Sequence, residues 1–287
     1  MKRRGVRQSV TRPHMVAPWA MIMALAASAC ILLAACGGGD ESGPAAVEAT
    51  ATAPSQPDPT LAPTATSQPE RPWAFLGTRL VRTAFPPADL ALYRSLLPDK
   101  FDMPDEPLVV VTVADYYDVT LPLVPYREGY VLLQCEYQGR TGWYTYTMPV
   151  DDETANAGGR AIGFDKYVAD EITLQEKDGV WTGRVVHGGR TVMEVTFTPE
   201  GEPSTETGAG ETSVLFNLMP PGEGPGIIEV KSSPSGEQKT ATTTGSATVR
   251  ADPGEPWAGL LGPQGSTIWA VFQEITGNSV LEWSELE

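Results

Sequence analysis

Residues 126–169, YREGYVLLQCEYQGRTGWYTYTMPVDDETANAGGRAIGFDKYVA, decide how the chain folds. The first half is rich in aromatic and β-branched residues, which predicts two strands, 128–137 and 143–148. Between them Gln138-Gly-Arg-Thr-Gly142 supplies turn chemistry, so the pair reads as a hairpin. Asp151 stands where an N-cap belongs, and a short helix across 152–159 is expected after it. Cys135 lies inside the apolar run VLLQCEY and reads as a buried, unreactive thiol.

Strand signals continue on both sides. Downstream, 172–176, 180–186 and 191–198 are joined by Asp178-Gly179 and His187-Gly-Gly-Arg190, which predicts a three-stranded meander. Further strands are expected at 213–219, 227–232, 245–251, 267–274 and 279–283. Upstream, LVVVTVA at 108–114 reads as a buried strand, and 89–97 places Leu90, Tyr93, Leu96 and Leu97 on one helical face after Pro86-Pro87. The pattern is mostly β (α+β), largely antiparallel, with few helices and enough strands to close a barrel or a two-layer cone. No repeat of fixed period occurs.

The N-terminal part is of another kind. The 287 residues carry 20 Lys+Arg against 36 Asp+Glu, a formal charge of −16. Residues 1–35 hold Lys2, Arg3, Arg4, Arg7 and Arg12 and no acid, which leaves a net −21 on the remainder. A chain this acidic lacks the lysines and arginines that neutralise phosphates, so nucleic acid is not expected as a partner. After the basic start, 15–35 (MVAPWAMIMALAASACILLAA) is apolar and uncharged, the layout of a secretory signal. It is also about long enough for a plain transmembrane anchor by the ~20-residue rule. Leu33-Ala34-Ala35-Cys36 resembles the bacterial lipobox, where small residues admit the peptidase and the cysteine thiol takes the lipid. The resemblance implies a leader over 1–35, lipidation at Cys36 and a chain held at the cell membrane on its extracytoplasmic side. Residues 37–72 contain seven prolines and no aromatic residue, which with Cys36 makes 36–72 a lipidated, extended tether. With Cys30 in the leader and Cys36 acylated, Cys135 has no cysteine left to pair with. The domain expected to carry function is 73–287.

Several chemistries find no residues there. The one histidine outside the leader is His187, in a glycine-rich turn, and it reads as a surface residue. A histidine triad or a His/Cys metal cluster has little to be made from. Phosphate-cradling and nucleophile-elbow motifs are absent. Neither a metal nor a cofactor is expected; a carboxylate-based site stays open.

One ordered set of residues resembles the acetoacetate decarboxylase family. It comprises Tyr126-Arg127-Glu128, the hairpin, Met148-Pro-Val-Asp151, Gly158-Gly159-Arg160 and Phe164-Asp165-Lys166-Tyr167. Leu92-Tyr-Arg-Ser-Leu-Leu-Pro98, Asp105-Glu106-Pro107-Leu108 and Glu255-Pro256-Trp257-Ala258-Gly259 add to it, so that the resemblance spans roughly 85–287. It implies a closed, cone-shaped antiparallel β-barrel with an internal cavity and a few short peripheral helices. It implies that Lys166 is the Schiff-base lysine, Glu128 the active-site glutamate and Arg160 the arginine of the family's G-R-E. Three positions depart: Tyr167 replaces a second lysine, Asp165 a proline, and Ala161 the glutamate after the arginine. The amine must be neutral to attack a carbonyl, against an ordinary pKa of ~10.4; burial, or a cation supplied by Arg127 or Arg160, lowers it, whereas a neighbouring Asp165 acts the other way.

Two functions remain open at this point. One is a lyase acting on a β-keto acid through a lysine Schiff base. The other is a non-catalytic extracytoplasmic β-barrel that binds a small apolar or carboxylate ligand. Burial of Lys166 beside Glu128 favours the first; exposure of Lys166 favours the second.

Overall fold

The computed structural model describes residues 74–208, 212–219, 226–262 and 267–286. The stretches read as a leader (1–35) and as a tether with Cys36 (36–72) lie outside the described residues. The elements run in chain order as β1 (Ala74–Phe85), α1 (Leu90–Leu96), β2 (Val109–Val119), β3 (Tyr126–Tyr137), β4 (Arg140–Val150) and α2 (Glu153–Ala161). There follow β5 (Lys166–Val168), β6 (Glu171–Lys177), β7 (Val180–His187), β8 (Arg190–Pro199), β9 (Ser204–Gly208) and β10 (Ser213–Leu218). Last come β11 (Ile227–Pro234), β12 (Gln238–Ala251), a 3-10 turn at Pro256–Leu260 and β13 (Trp269–Leu286). The fold is therefore mostly β with few helices.

The strands form one sheet in the order β1-β2-β3-β4-β10-β11-β13-β12-β8-β7-β6, and β1 also pairs with β13. The path from β1 through β2, β3, β4, β10, β11 and β13 thus returns to β1. Pairing is not antiparallel throughout. β5 runs parallel to β4, as the α2 crossover between them requires, and β10 meets β4 in parallel at Leu215 and Trp143.

Two apolar clusters lie on the two faces of the first strands. Leu80, Ala84, Val110, Ala114, Leu132, Met148 and Phe164 belong to one. Val81, Phe85, Val109, Val111, Val113, Val131 and Leu133 belong to the other, together with Tyr93, Trp257, Val185 and Phe197. Because alternate residues point to opposite faces, β1, β2 and β3 are buried on both, and they read as apolar runs rather than clean alternations. The β6–β8 meander covers the second face. Gly183 lets it approach: a Cβ there would stand 2.6 Å from Val113 Cβ.

Turn chemistry fixes the hairpins. Gln138 and Gly139 both have positive φ (51° and 73°), so the β3–β4 turn is a two-residue turn and not the five-residue loop expected. Asp178-Gly179 (54°, 80°) and Gly188-Gly189 (58°, 71°) close the meander as expected. Cys135 is buried, and burial pushes its thiol up to about 12. His187 is exposed at the end of β7.

Candidate active site

Register across β1, β2 and β3 lines up the inward side chains in rows. Thr78, Tyr116 and Tyr126 form one row; Leu80, Ala114 and Glu128 the next; then Arg82, Thr112 and Tyr130; then Ala84, Val110 and Leu132. On the other side of β1, Gln273 of β13 stands opposite Leu80 and Val271 opposite Arg82. Rows are ~6.8 Å apart, two residues along a strand.

Glu128 and Lys166 meet in this interior. Both side chains are 0% exposed, and Lys166 Nζ donates to Glu128 Oε2 at 3.0 Å. Tyr116 O–H donates to Glu128 Oε1 at 2.8 Å. Tyr116 in turn stacks on Tyr126, with ring centroids 4.9 Å apart. Lys166 Nζ lies 5.8 Å from the ring centroids of both Tyr126 and Phe164. The carboxylate is thus held from two sides beside an amine, with aromatic walls and no water-exposed surface.

Local structure explains how a lysine on a three-residue strand gets inside. Asp152, not Asp151, caps α2: its Oδ1 accepts from Ala155 N–H at 2.8 Å. Asp151 instead accepts from Arg127 N–H at 2.6 Å and pairs with the Arg127 guanidinium at 3.6 Å. Adjacent aspartates look alike as caps, and the β3 arginine decides between them. α2 ends at Ala161, and Gly163 (φ 82°) beyond it turns the chain toward β5. Gly159, on α2, leaves the channel for the lysine stem: a Cβ there would collide with Lys166 Cδ and sit 2.5 Å from Cε. Arg160 is exposed, and its Nη1 donates to the main-chain oxygen of Lys166 at 3.2 Å. It thus holds the start of β5. Arg127 faces the other way from Glu128 and pairs with Asp115 and Asp151.

The cation that shares the interior is Arg82, which no sequence motif singles out. It is 1% exposed; Nε donates to Thr112 Oγ1 at 3.2 Å and Nη2 to the Tyr130 hydroxyl at 2.8 Å. Its one signal is a basic residue inside the apolar run Leu80-Val-Arg-Thr-Ala-Phe85. Arg82 lines a cavity of about 780 Å³ at the end of the ring where β1 ends and β2 and β13 begin. Gln273 lines it too, so the cavity reaches the Glu128 row. Lys166 and Glu128 are not among its lining residues. The lysine expected to face a cavity is buried, but it does not line this one.

A family model for acetoacetate decarboxylase matches residues 59–266. The chain belongs to the acetoacetate decarboxylase family. Solved structures agree on the fold. An acetoacetate decarboxylase from Legionella pneumophila is 19% identical with a TM-score of 0.57, covering 75% of this chain and 88% of that one. An acetoacetate decarboxylase-like enzyme from Sphingomonas wittichii RW1 is 17% identical with a TM-score of 0.57, covering 80% and 98%. The enduracididine biosynthesis enzyme MppR, complexed with pyruvate, is 17% identical with a TM-score of 0.56, covering 76% and 91%. A search of curated proteins finds no match.

Within the acetoacetate decarboxylase family fold, the departures at 165 and 167 fall away from the amine. Asp165 is exposed, while Lys166 beside it is buried. Tyr167 lies on the opposite side of β5 from Lys166, its ring 4.7 Å from that of His187, and burial pushes its hydroxyl up to about 12.

Proposed function

We propose that this family member is a carbon–carbon lyase that decarboxylates a β-keto acid through a Schiff base on Lys166, inside a closed, cone-shaped barrel. The observation that carries the reading is the fully buried Lys166–Glu128 contact at 3.0 Å. A buried ion pair contributes little to stability by itself, because desolvation offsets the attraction. Its presence in an otherwise aromatic pocket is better accounted for by chemistry.

In the reaction Glu128 takes the ammonium proton, and the neutral amine attacks the keto carbon. Glu128 returns that proton to the hydroxyl of the adduct, which leaves as water as the protonated imine forms. The bond between the carboxylate carbon and the α-carbon breaks, CO2 departs, and its electron pair flows into the iminium nitrogen to give an enamine. A proton taken up from solvent, relayed by Glu128, reaches the α-carbon, and water then releases the ketone and the amine. Arg82 draws the substrate carboxylate to the inner end of the cavity. Desolvation among Tyr126 and Phe164 favours the neutral amine, the direction such a nucleophile needs. Acetoacetate decarboxylase itself is the known example of a lysine activated by desolvation or a neighbouring cation.

CO2 release from acetoacetate by the full-length protein tests the reading. The expected rate exceeds that of an equal concentration of a simple primary amine by more than a hundredfold, on the order of what one positioned acid–base group contributes. A rate equal to the amine control would sink the lyase. The binder would then stand, because the cavity is lined by Arg82 and not by Lys166.

We further propose that Cys36 is acylated and tethers the domain outside the cell. Cys36→Ser then moves the protein from the membrane fraction to the soluble fraction; retention in the membrane would indicate a transmembrane anchor over 15–35 instead.

A further inference from the structure

The Arg82 cavity is larger than a four-carbon keto acid requires. Its volume of about 780 Å³ lies in the range that encloses whole drug-sized ligands, ~300–1,000 Å³. Its polarity is graded. Arg82 and Gln273, both nearly fully buried, stand in the two inner rows, and Gln273 Oε1 has no hydrogen-bond partner while Nε2 donates to Thr242 Oγ1 at 3.1 Å. Val271 stands beside Arg82, and outward from it the walls include Leu108 and Trp269. At the mouth Leu90 and Ile268 are 52% and 48% exposed, two of the four large hydrophobics exposed among the described residues. Two acids, Glu106 and Glu200, also line the cavity and are exposed.

We infer that this cavity takes a monocarboxylic acid with a long unbranched alkyl tail. It stands apart from the lyase reading, because a tail that runs outward from Arg82 carries the carbons next to the carboxylate away from Lys166. The carboxylate end sits at Arg82 and Gln273, and the tail runs outward past Leu108 and Trp269 to Leu90 and Ile268. Glu106 and Glu200 reject a second carboxylate at the far end of the tail by like-charge repulsion.

Calorimetric titration of the full-length protein with saturated monocarboxylates separates tail recognition from imine chemistry. From butanoate to decanoate the expected affinity rises about fourfold per methylene, as burial of each CH2 group predicts. Decanedioate binds at least tenfold more weakly than decanoate, and the exposed double variant Glu106→Gln/Glu200→Gln restores it. Affinity that stays flat with chain length overturns the inference, and so does decanedioate binding as tightly as decanoate. Chain-length dependence without CO2 release leaves the tail site standing and removes the lyase. CO2 release with flat affinity removes only the tail site.

Discussion

Lys166→Met lowers the unfolding free energy by about 3–5 kcal/mol, the cost of leaving one member of a buried ion pair without the other. Methionine matches the length of the lysine stem, so the packing around Gly159 and Phe164 is largely kept. What is lost is the counter-charge of Glu128, whose Oε2 accepts from Lys166 at 3.0 Å and whose side chain is 0% exposed. Tyr116 still donates to Oε1 but brings no charge. Pairing the change with Glu128→Leu removes the buried carboxylate, and most of the lost stability returns. Urea unfolding of the two single variants and the double variant measures both effects. A single-variant cost below ~1 kcal/mol, the range of exposed pairs, would mean that the pair is solvated and the site is not closed.

Gly159→Ala slows turnover about a hundredfold, the size of effect that a ~1 Å misplacement of a reacting group produces. The added Cβ collides with Lys166 Cδ and falls 2.5 Å from Cε, well inside contact distance, so the lysine stem must shift. Removing a helical glycine is itself favourable by roughly 1 kcal/mol, and the fold should survive. The loss belongs in kcat rather than in KM, because the Arg82 cavity is untouched. Unchanged kcat would show that the stem has another route to Glu128 and that Gly159 is not a positioning residue.

Much of this architecture is legible in the sequence, and the exceptions have physical causes. Asp178-Gly179 and Gly188-Gly189 announce the meander because positive φ restricts the residues that can stand there. The helix expected at 89–97 appears as α1, capped by Asp89, whose Oδ1 accepts from Leu92 N–H at 2.9 Å. The strand at Ala74–Phe85 escapes the sequence patterns, since a strand buried on both faces shows no alternation and carries Arg79 and Arg82 besides. Its partner β13 reads as two strands, 267–274 and 279–283, but is one. Thr276-Gly-Asn278 has turn composition, yet Gly277 (φ 114°) sits at a bulge where the β1–β13 register shifts, and the strand runs on to Leu286.

At the site, Lys166 and Glu128 are found by their place in an ordered motif, although 38 residues separate them. Arg82 is not, because its significance lies in its row: it faces Thr112 and Tyr130 only once β1, β2 and β3 are in register. Arg160 illustrates the converse. Its motif is legible, but its guanidinium reaches the main chain of Lys166 and not the amine.

Whether Lys166 can act as a neutral nucleophile is the central question, and borohydride trapping addresses it most directly. Wild-type protein and Lys166→Met are incubated with acetoacetate or pyruvate from neutral to mildly alkaline pH, reduced, and weighed intact. The predicted result is one reduced adduct on the wild type, mapped to the peptide containing Lys166, and none on the variant. No adduct on the wild type at any pH, or equal labelling of both proteins, would contradict it.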